Sequence, residues 1–587
     1  MGAFFICNKN NITNPNFGLE MFAEMGFASP ESFDIGTWKI YAFPKMALSI
    51  SNTISDNGCT LISTGTPIYK GLNYSDSLRS LLQDFQFESI DTEQLIGQYT
   101  ILFCRGNTIE ILCDPLGSKH LFTDKNHDML SSHMLPICQC FTSDLHINRK
   151  AFYEKLLTGI IMSPNTLFEE ITQIDKQEQR YITRENIGIS FIQTTNFPIS
   201  ESRARNISEC LAEQSNTLRE YFKLLNKAGK DGIDIGLSGG YDSRLVLACL
   251  HKFNNEKIHL HSHATENVHR DDLMIAKEMA EFVGLPCHTV TTRKLGNSEH
   301  VDEILRKSIL YFDGRSSFSI GGCGEVYTAS YRKESTEGTP FTLTGVGGEL
   351  YRNVFDIGFR NIHFGRFLEE KVFSMSFRKA ISDELYQKIK DDIIGRAATK
   401  LGVEKQKKLS KAVAHRYYCE IMMPDGQGTA IDAYNQVSCC IAPFLEPKVI
   451  AKGYEAIPYH HSGGEFEGKL IGFIDSGLAA ITSTYGYPIG KRPVKAKIKE
   501  RMRTFIPPSL WNRLADVSSK RKNSFRIDSA LEELYANSQM LKEAYTYLTE
   551  MFPEINFNLL LHSNEDIRRL QFIAMTIYFF RGRLMAE

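Results

Sequence analysis

Up to about residue 195 the apolar positions come in short runs, Ala3 to Cys7, Thr60 to Ser63, Tyr99 to Phe103 and Thr108 to Cys113, broken by clusters of Asn, Gly and Ser. Runs of this length, bounded by turn-forming residues, predict stacked antiparallel sheets. A helical stretch from Arg149 to Thr158 closes this half. The polar segment around Ser200 to Arg205 gives way to a long helical periodicity from about Ile207 to Asn226, which places a domain boundary near residue 200. Strand and helix then alternate: strand Asp234 to Leu237, helix Asp242 to His251, strand Lys257 to His263, helix Asp271 to Val283, strand Cys287 to Thr291. Strands separated by helices of this length predict a parallel, doubly wound sheet, because parallel neighbours need a helical crossover. From about residue 360 the pattern is mainly helical. The fold class expected is α/β, with an antiparallel β-sandwich over 1–200 and a parallel-sheet domain with a helical C-terminal region over 201–587.

Composition narrows the function classes. A chain of 587 residues with 42% apolar side chains suits a globular protein of about two to four domains. The 67 basic and 69 acidic residues nearly cancel, so no long-range field draws it to nucleic acid or to an anionic membrane. The 13 cysteines form no CxxC pair; Cys138 with Cys140 and Cys439 with Cys440 have the wrong spacing for zinc. Reduced thiols in the cytoplasm are the expected state. The N-terminus MGAFFICNKNN has no basic region followed by a long apolar stretch, and Ile6 stands where a myristoylation signal needs Ser or Thr.

The most informative segment is GLSGGYDSRLVLACL, Gly236 to Leu250. A strand ends at Leu237, Ser238 to Gly240 make a turn whose glycines let backbone amides approach a ligand, and a helix opens at about Asp242. Such a turn aims several N–H groups and the positive end of a helix at one spot, which suits a phosphate. It is neither a Walker loop nor a dinucleotide fingerprint. An acid in a phosphate site is repulsive without a cation, so Asp242 reads as a magnesium ligand, and Ser238 and Ser243 as hydroxyl donors.

The hexapeptide SGGYDS resembles the PP-loop, SGGxDS, of ATP pyrophosphatases. Four further segments resemble class B asparagine synthetases in the family order: CDPLGSKHLF (Cys113 to Phe122), INRKAFYEKLLTGIIMSPNTLFEEITQI (Ile147 to Ile174), LTGVGGELYR (Leu343 to Arg352) and APFLEPKVI (Ala442 to Ile450). The resemblance implies an N-terminal domain of the N-terminal-nucleophile hydrolase type and a PP-loop synthetase domain. It implies ATP held by Leu237, Ser238, Gly239, Gly240, Asp242 and Ser243 together with Gly345 and Gly347, and Mg2+ held by Asp242. In the second glycine segment the family's Asp is absent. Glu349 is the nearest acid, either a second magnesium ligand or a helix-end residue favoured by the dipole. Glu446 replaces the family's Asp in PFLEP and reads as architectural.

In glutamine-dependent relatives the first residue of the mature chain is a Cys whose thiolate and α-amine act together. Here Gly2 follows the initiator Met, Cys7 lies inside the first strand, and TGTPIYKG (Thr64 to Gly71) is a degraded form of the glutamine-orienting segment. The nearest resemblance is therefore to the branch without glutaminase activity: β-lactam synthetases, lasso-peptide cyclases and other biosynthetic relatives. These adenylate a carboxylate and let an amine displace AMP. Lys491 is the candidate for charge neutralisation on the phosphates, the other reading being a solvated basic patch. Tyr351 is the candidate base, with Glu420 or Asp425 as its partner, the other reading being a buried tyrosine. His259, His261 and His263 share one strand face; one or two lining the nucleotide pocket, without a transition metal, is the favoured reading. The expected partners are a small-molecule or peptide carboxylate and an amine. No nucleic acid or membrane is expected, and a homo-oligomer or a pathway partner protein stays open. Two other readings compete: an inactive nucleotide-binding scaffold, suggested by the altered GVGGEL, and a sulfur- or tRNA-modifying PP-loop enzyme, which the near-neutral charge disfavours.

Overall fold

The computed structural model describes residues 2–585 except 13, 47–49, 143–144, 186–187, 194–205, 254–256, 266–269, 293–299, 317–323, 337–338, 340, 358–361, 407, 462, 490–492, 495–497, 499–528 and 562–563. The expected boundary near 200 and Lys491 both fall outside the described residues.

The N-terminal strands are β1 (Ala3–Asn8), β2 (Glu31–Ile35), β3 (Trp38–Phe43), β4 (Thr53–Asp56), β5 (Cys59–Gly65), β6 (Ile68–Tyr69), β7 (Leu95–Ile96), β8 (Tyr99–Arg105), β9 (Thr108–Cys113), β10 (Phe122–Asp124), β11 (Met129–Ser131), β12 (Ile171–Gln173) and β13 (Ile189–Phe191). They form two stacked sheets, ordered β12-β10-β11-β1-β3-β2 and β13-β9-β8-β5-β4, with β6 and β7 as a small ribbon. Pairing is antiparallel except that β13 joins β9 in parallel, a late strand added to the sheet edge.

The period-2 geometry of a strand explains the apolar runs. In β1, Phe4 and Ile6 point into the sandwich, where Trp38, Ile62 and Leu102 meet them. Phe5 and Cys7 point the other way, under Phe22 and the helical C-terminal region. In the second sheet Leu102 faces the sandwich, while Ile101 and Phe103 face the helix Tyr74–Gln86, with the Phe85 ring stacked on Phe103 at 4.3 Å. The inner strands of both sheets are covered on both faces and read as continuous apolar runs, whereas the edge strands β2 and β4 are largely exposed.

The central sheet is all parallel, ordered β16-β15-β14-β17-β18, from β14 (Ile233–Gly236), β15 (Ile258–Thr265), β16 (Cys287–Thr292), β17 (Phe341–Leu343) and β18 (Cys439–Ile441). The chain winds outward from β14 to β16 and then returns to the other side of β14 for β17 and β18. That reversal leaves a crevice beyond the carboxyl ends of β14 and β17, where open α/β sheets bind ligands. Helices make up most of the remainder. One segment, Tyr418–Gln427, is π-helical and contains Pro424. Among the described residues no helix is long and apolar enough to cross a membrane.

Candidate functional site

The SGGYDS loop leaves β14 and the second glycine segment leaves β17, so the two converge at the crevice. At the first, Leu237 is buried and tied to β15 by its N–H donating to the His261 carbonyl at 2.7 Å. The helix Asp242–Phe253 follows, and its first-turn N–H groups lack intrahelical acceptors. Loop shape is held internally. The Ser238 N–H donates to Ser243 Oγ at 3.1 Å, and the two hydroxyls lie 3.2 Å apart. The Gly239 N–H donates to Asp272 Oδ1 at 2.7 Å. A Cβ on Gly239 would lie 2.5 Å from Thr484 Cγ2, so glycine is required there by contact. Arg244 is buried and fixed by donating to the carbonyls of Leu478, Ile481 and Thr482.

The second segment packs directly onto the first. A Cβ on Gly345 would lie 3.0 Å from Asp242 and Ser243 backbone atoms, and one on Gly348 would lie 2.3 Å from Asp242 Oδ1. At Gly348 a side chain would strike the Asp242 carboxylate. Gly347, at φ +91°, turns the chain into the short helix Gly348–Tyr351.

Four charged side chains and a tyrosine meet there. The Arg352 guanidinium pairs with Asp242 and, through Nε at 2.5 Å, with Glu467, and it lies over the Tyr241 ring. Glu467 is fully buried beside Arg352 and Asp242. Tyr418 OH donates to Glu349 Oε2 at 2.7 Å. Burial and the neighbouring Glu467 push the Asp242 carboxyl well above the usual carboxylate range, Arg352 working against them. Burial likewise raises Glu467, against the pull of Arg352. Burial and Glu349 raise the Tyr418 hydroxyl, so it serves as a donor and not as a base.

Of the two sequence readings of Tyr351, its surroundings are those of the buried tyrosine. Its side chain is 1% exposed and packs between Phe444 and Phe466, and burial raises its hydroxyl well above the ordinary value. No hydrogen bond joins it to Glu420 or Asp425: Glu420 pairs with Arg416, and Asp425 with Lys400. The three histidines take separate partners, although the His261 and His263 rings meet edge to face at 5.3 Å. His261 Nδ1 meets Asp234 at 2.9 Å, His263 Nδ1 meets Tyr331 at 2.8 Å, and His259 lies beside Gly232. Arg352, Glu467, Tyr418 and Asp272 escaped the sequence reading; the one signal for Arg352 was its place at the end of the LTGVGGELYR segment.

These carboxylates suit magnesium in charge. Asp242, Glu349 and Glu467 face a single guanidinium, and Asp242 and Glu467 lie close enough to share a proton. Among the described residues no three acids, histidines or cysteines converge as a ready-made cage, but Mg2+ ordinarily takes one or two carboxylates and completes its shell with phosphate oxygens and water.

Residues 234–322 match the asparagine synthase family model. The matched span begins inside β14 and contains the whole SGGYDS loop. An asparagine synthase-like ATP pyrophosphatase segment implies ATP-dependent amide ligase activity, its substrates unspecified. Solved structures with similarity include NMN synthetase from Francisella tularensis, at 14% identity and TM-score 0.18 over 37% of this chain and 94% of that one. Another is glutamine-dependent NAD+ synthetase from Acinetobacter baumannii in complex with adenosine diphosphate, at 14% identity and TM-score 0.18 over 45% of this chain and 53% of that one. No curated protein matches the chain.

Proposed function

We propose that this chain is an AMP- and pyrophosphate-forming ligase that adenylates a carboxylate and joins it to an amine without hydrolysing glutamine. In this reading 1–200 is a degenerate glutaminase-like domain and 201–587 the synthetase domain. The observation that carries it is the convergence of two glycine segments at the switch point of the parallel sheet, with Asp242 between them. The loop amides and the helix N-terminus bind the phosphates, and Ser238 and Ser243 orient them. Asp242 and Glu349 are the residues that would hold magnesium, which when bound neutralises charge on the α-phosphorus and the departing pyrophosphate. Tyr418 fixes the Glu349 carboxylate. Arg352 supplies a permanent positive charge at the same spot. The carboxylate is a small molecule or a peptide, the amine is ammonia or belongs to a substrate, and the protein works in the cytoplasm.

The glutamine-free reading rests on packing. Gly2 is buried, and a Cβ there would lie 1.9 Å from Asn52 Nδ2, so a cysteine side chain has no room. Cys7 is paired on both sides within β1, and burial raises its thiol to about 11.

A second reading, a nucleotide-binding scaffold, is favoured by the Arg352 clasp on Asp242. Incubating the full chain with ATP, Mg2+ and a panel of carboxylates and amines separates the two. The ligase gives AMP and pyrophosphate, and Asp242→Asn abolishes both. ADP as product, or unchanged AMP formation in Asp242→Asn, refutes the PP-loop assignment. ATP binding with no turnover across the panel supports the scaffold.

A further inference from the structure

A second cavity, with a mainly apolar wall that carries a few polar groups, lies behind the π-helix, between the N-terminal sheets and the C-terminal helices. Its volume is about 50 Å3, enough for a few waters or for a carboxylate with a one- or two-carbon tail. Tyr418 at one end of the π-helix touches Glu349, while Asp425 near the other end lines this cavity. Lys155 enters it from the last turn of the helix Arg149–Thr158.

The charges around Lys155 do not balance. Its ammonium donates one hydrogen bond, to the Ser316 carbonyl at 2.7 Å, and among the described residues no carboxylate pairs with it. Two of its three donors remain. The acid in the wall, Asp425, is already neutralised by Lys400 at 2.9 Å and bonded to Gln173 at 3.3 Å. Arg315 also lines the cavity, its guanidinium oriented by Asp313, Asp432 and His120, so it adds positive field and keeps two of its five donors unassigned. Burial, reinforced by the nearby Arg569 and Arg315, pulls the Lys155 ammonium down to about 7. The Asn165 side-chain amide, also in the wall, has no hydrogen-bond partner among the described residues. A part-buried ammonium without a counter-ion carries a desolvation cost, which a bound anion or loss of the proton relieves.

We propose that this cavity binds a small carboxylate, with the Lys155 ammonium as its counter-charge and the Asn165 amide as a second donor. The site is separate from the nucleotide crevice and does not depend on the ligase reading. Because its walls come from both halves of the chain, a bound carboxylate ties them together and stabilises the fold.

The test is calorimetric titration and thermal unfolding of the full chain with formate, acetate and inorganic phosphate, against chloride at equal ionic strength. Acetate or formate is expected to bind and raise the unfolding temperature. Lys155→Met is expected to weaken that binding at least tenfold, and Asn165→Leu to weaken it less. Lys155→Arg should retain most of it. If Lys155→Met does not fold, the Asn165→Leu result decides. Equal stabilisation by chloride, equal acetate affinity in every folded variant, or phosphate binding in preference to both carboxylates overturns the proposal. So does a borohydride-trapped aldehyde adduct at Lys155 without carboxylate binding, which would make it an amine nucleophile instead.

Discussion

Replacing Gly348 by Ala adds one methyl group at the point where the two glycine segments touch. The new Cβ would lie 2.3 Å from Asp242 Oδ1, 2.6 Å from its Cγ and 2.7 Å from its Cβ. Ordinary carbon contacts begin near 3.5 Å, so either the carboxylate or the turn has to retreat by roughly 1 Å. Gly348 does not use the left-handed region, so the effect is one of contact alone. Overpacking of this kind costs about 1–3 kcal/mol, and moving Asp242 away from Arg352 adds the loss of a partly buried ion pair. For a reacting group, misplacement by about 1 Å costs on the order of 100-fold in rate. Gly240→Ala is the comparison: its Cβ meets only Ser238 Oγ, at 3.4 Å, so the fold accepts it. In that variant the methyl intrudes on the ligand, and the loss should appear in ATP affinity. The assays are AMP release under saturating ATP, ATP binding, and thermal unfolding of each variant. Gly348→Ala should lose both rate and stability, whereas Gly240→Ala should lose affinity and keep its stability. A Gly348→Ala protein with unchanged stability and near-native AMP formation would refute the packing of the second segment on Asp242.

Other outcomes follow from single residues. Burial raises Glu446 from 4.5 to about 8, so its contribution is complete below about pH 4.5 and is lost as pH rises through 8, at about 1.4 kcal/mol per pH unit. Glu446→Gln keeps an acceptor for the Gly97 N–H and removes the titration, so denaturant unfolding should show its stability advantage growing between pH 5 and 8; parallel profiles would contradict this. Glu349→Gln should raise the magnesium concentration needed for half-maximal AMP formation and spare ATP binding, whereas an unaltered titration removes Glu349 from the ion's shell. Gly2→Ala drives Asn52 from its bonds to the Ala3 and Ser63 carbonyls and should cost about 2 kcal/mol or more in stability. Asn52→Ala added to it should restore part of that loss, and failure to do so would place the strain elsewhere.

What was legible in the sequence is what is local. The helix expected over Arg149 to Thr158 is the helix observed, and β9 spans the expected Thr108 to Cys113. The strands and helices from β14 to β16 follow the expected alternation, because each apolar run is bounded by turn residues beside it. The SGGYDS turn was legible for the same reason: strand end, glycines, acid and helix start are contiguous. The Glu467 partner of Arg352 lies 115 residues away, and Tyr418 reaches Glu349 across 69, so no spacing rule connects them. Tyr351 and Arg352 show how a local reading fails. A short 3-10 turn rotates each residue by about 120° from the last. It therefore sends Tyr351 into the core and lets its neighbour Arg352 reach Asp242. The parallel addition of β13 was equally hidden, since strand direction depends on the route of the chain between strands.

The N-terminal half keeps a structural task wherever its own chemistry is missing. Its segment Thr64 to Gly71 carries Thr66, which donates to Asn435 Oδ1 at 2.6 Å. Asn435 in turn donates to the Cys440 carbonyl and so braces β18. The Gly97 N–H holds Glu446 just beyond that strand, and Gln98 exchanges two hydrogen bonds with Ala442. From the CDPLGSKHLF segment, buried Lys119 and His120 both engage Asp432, and His120 Nε2 reaches the Pro424 carbonyl inside the π-helix at 2.8 Å. Removing the N-terminal half would expose apolar faces of the shared cores and leave Asp432, Asn435 and Glu446 without these partners. Unpaired buried polar groups cost about 1–3 kcal/mol each, and charged ones more. The strand end and the π-helix beside the crevice are therefore set by contacts from the N-terminal sheets.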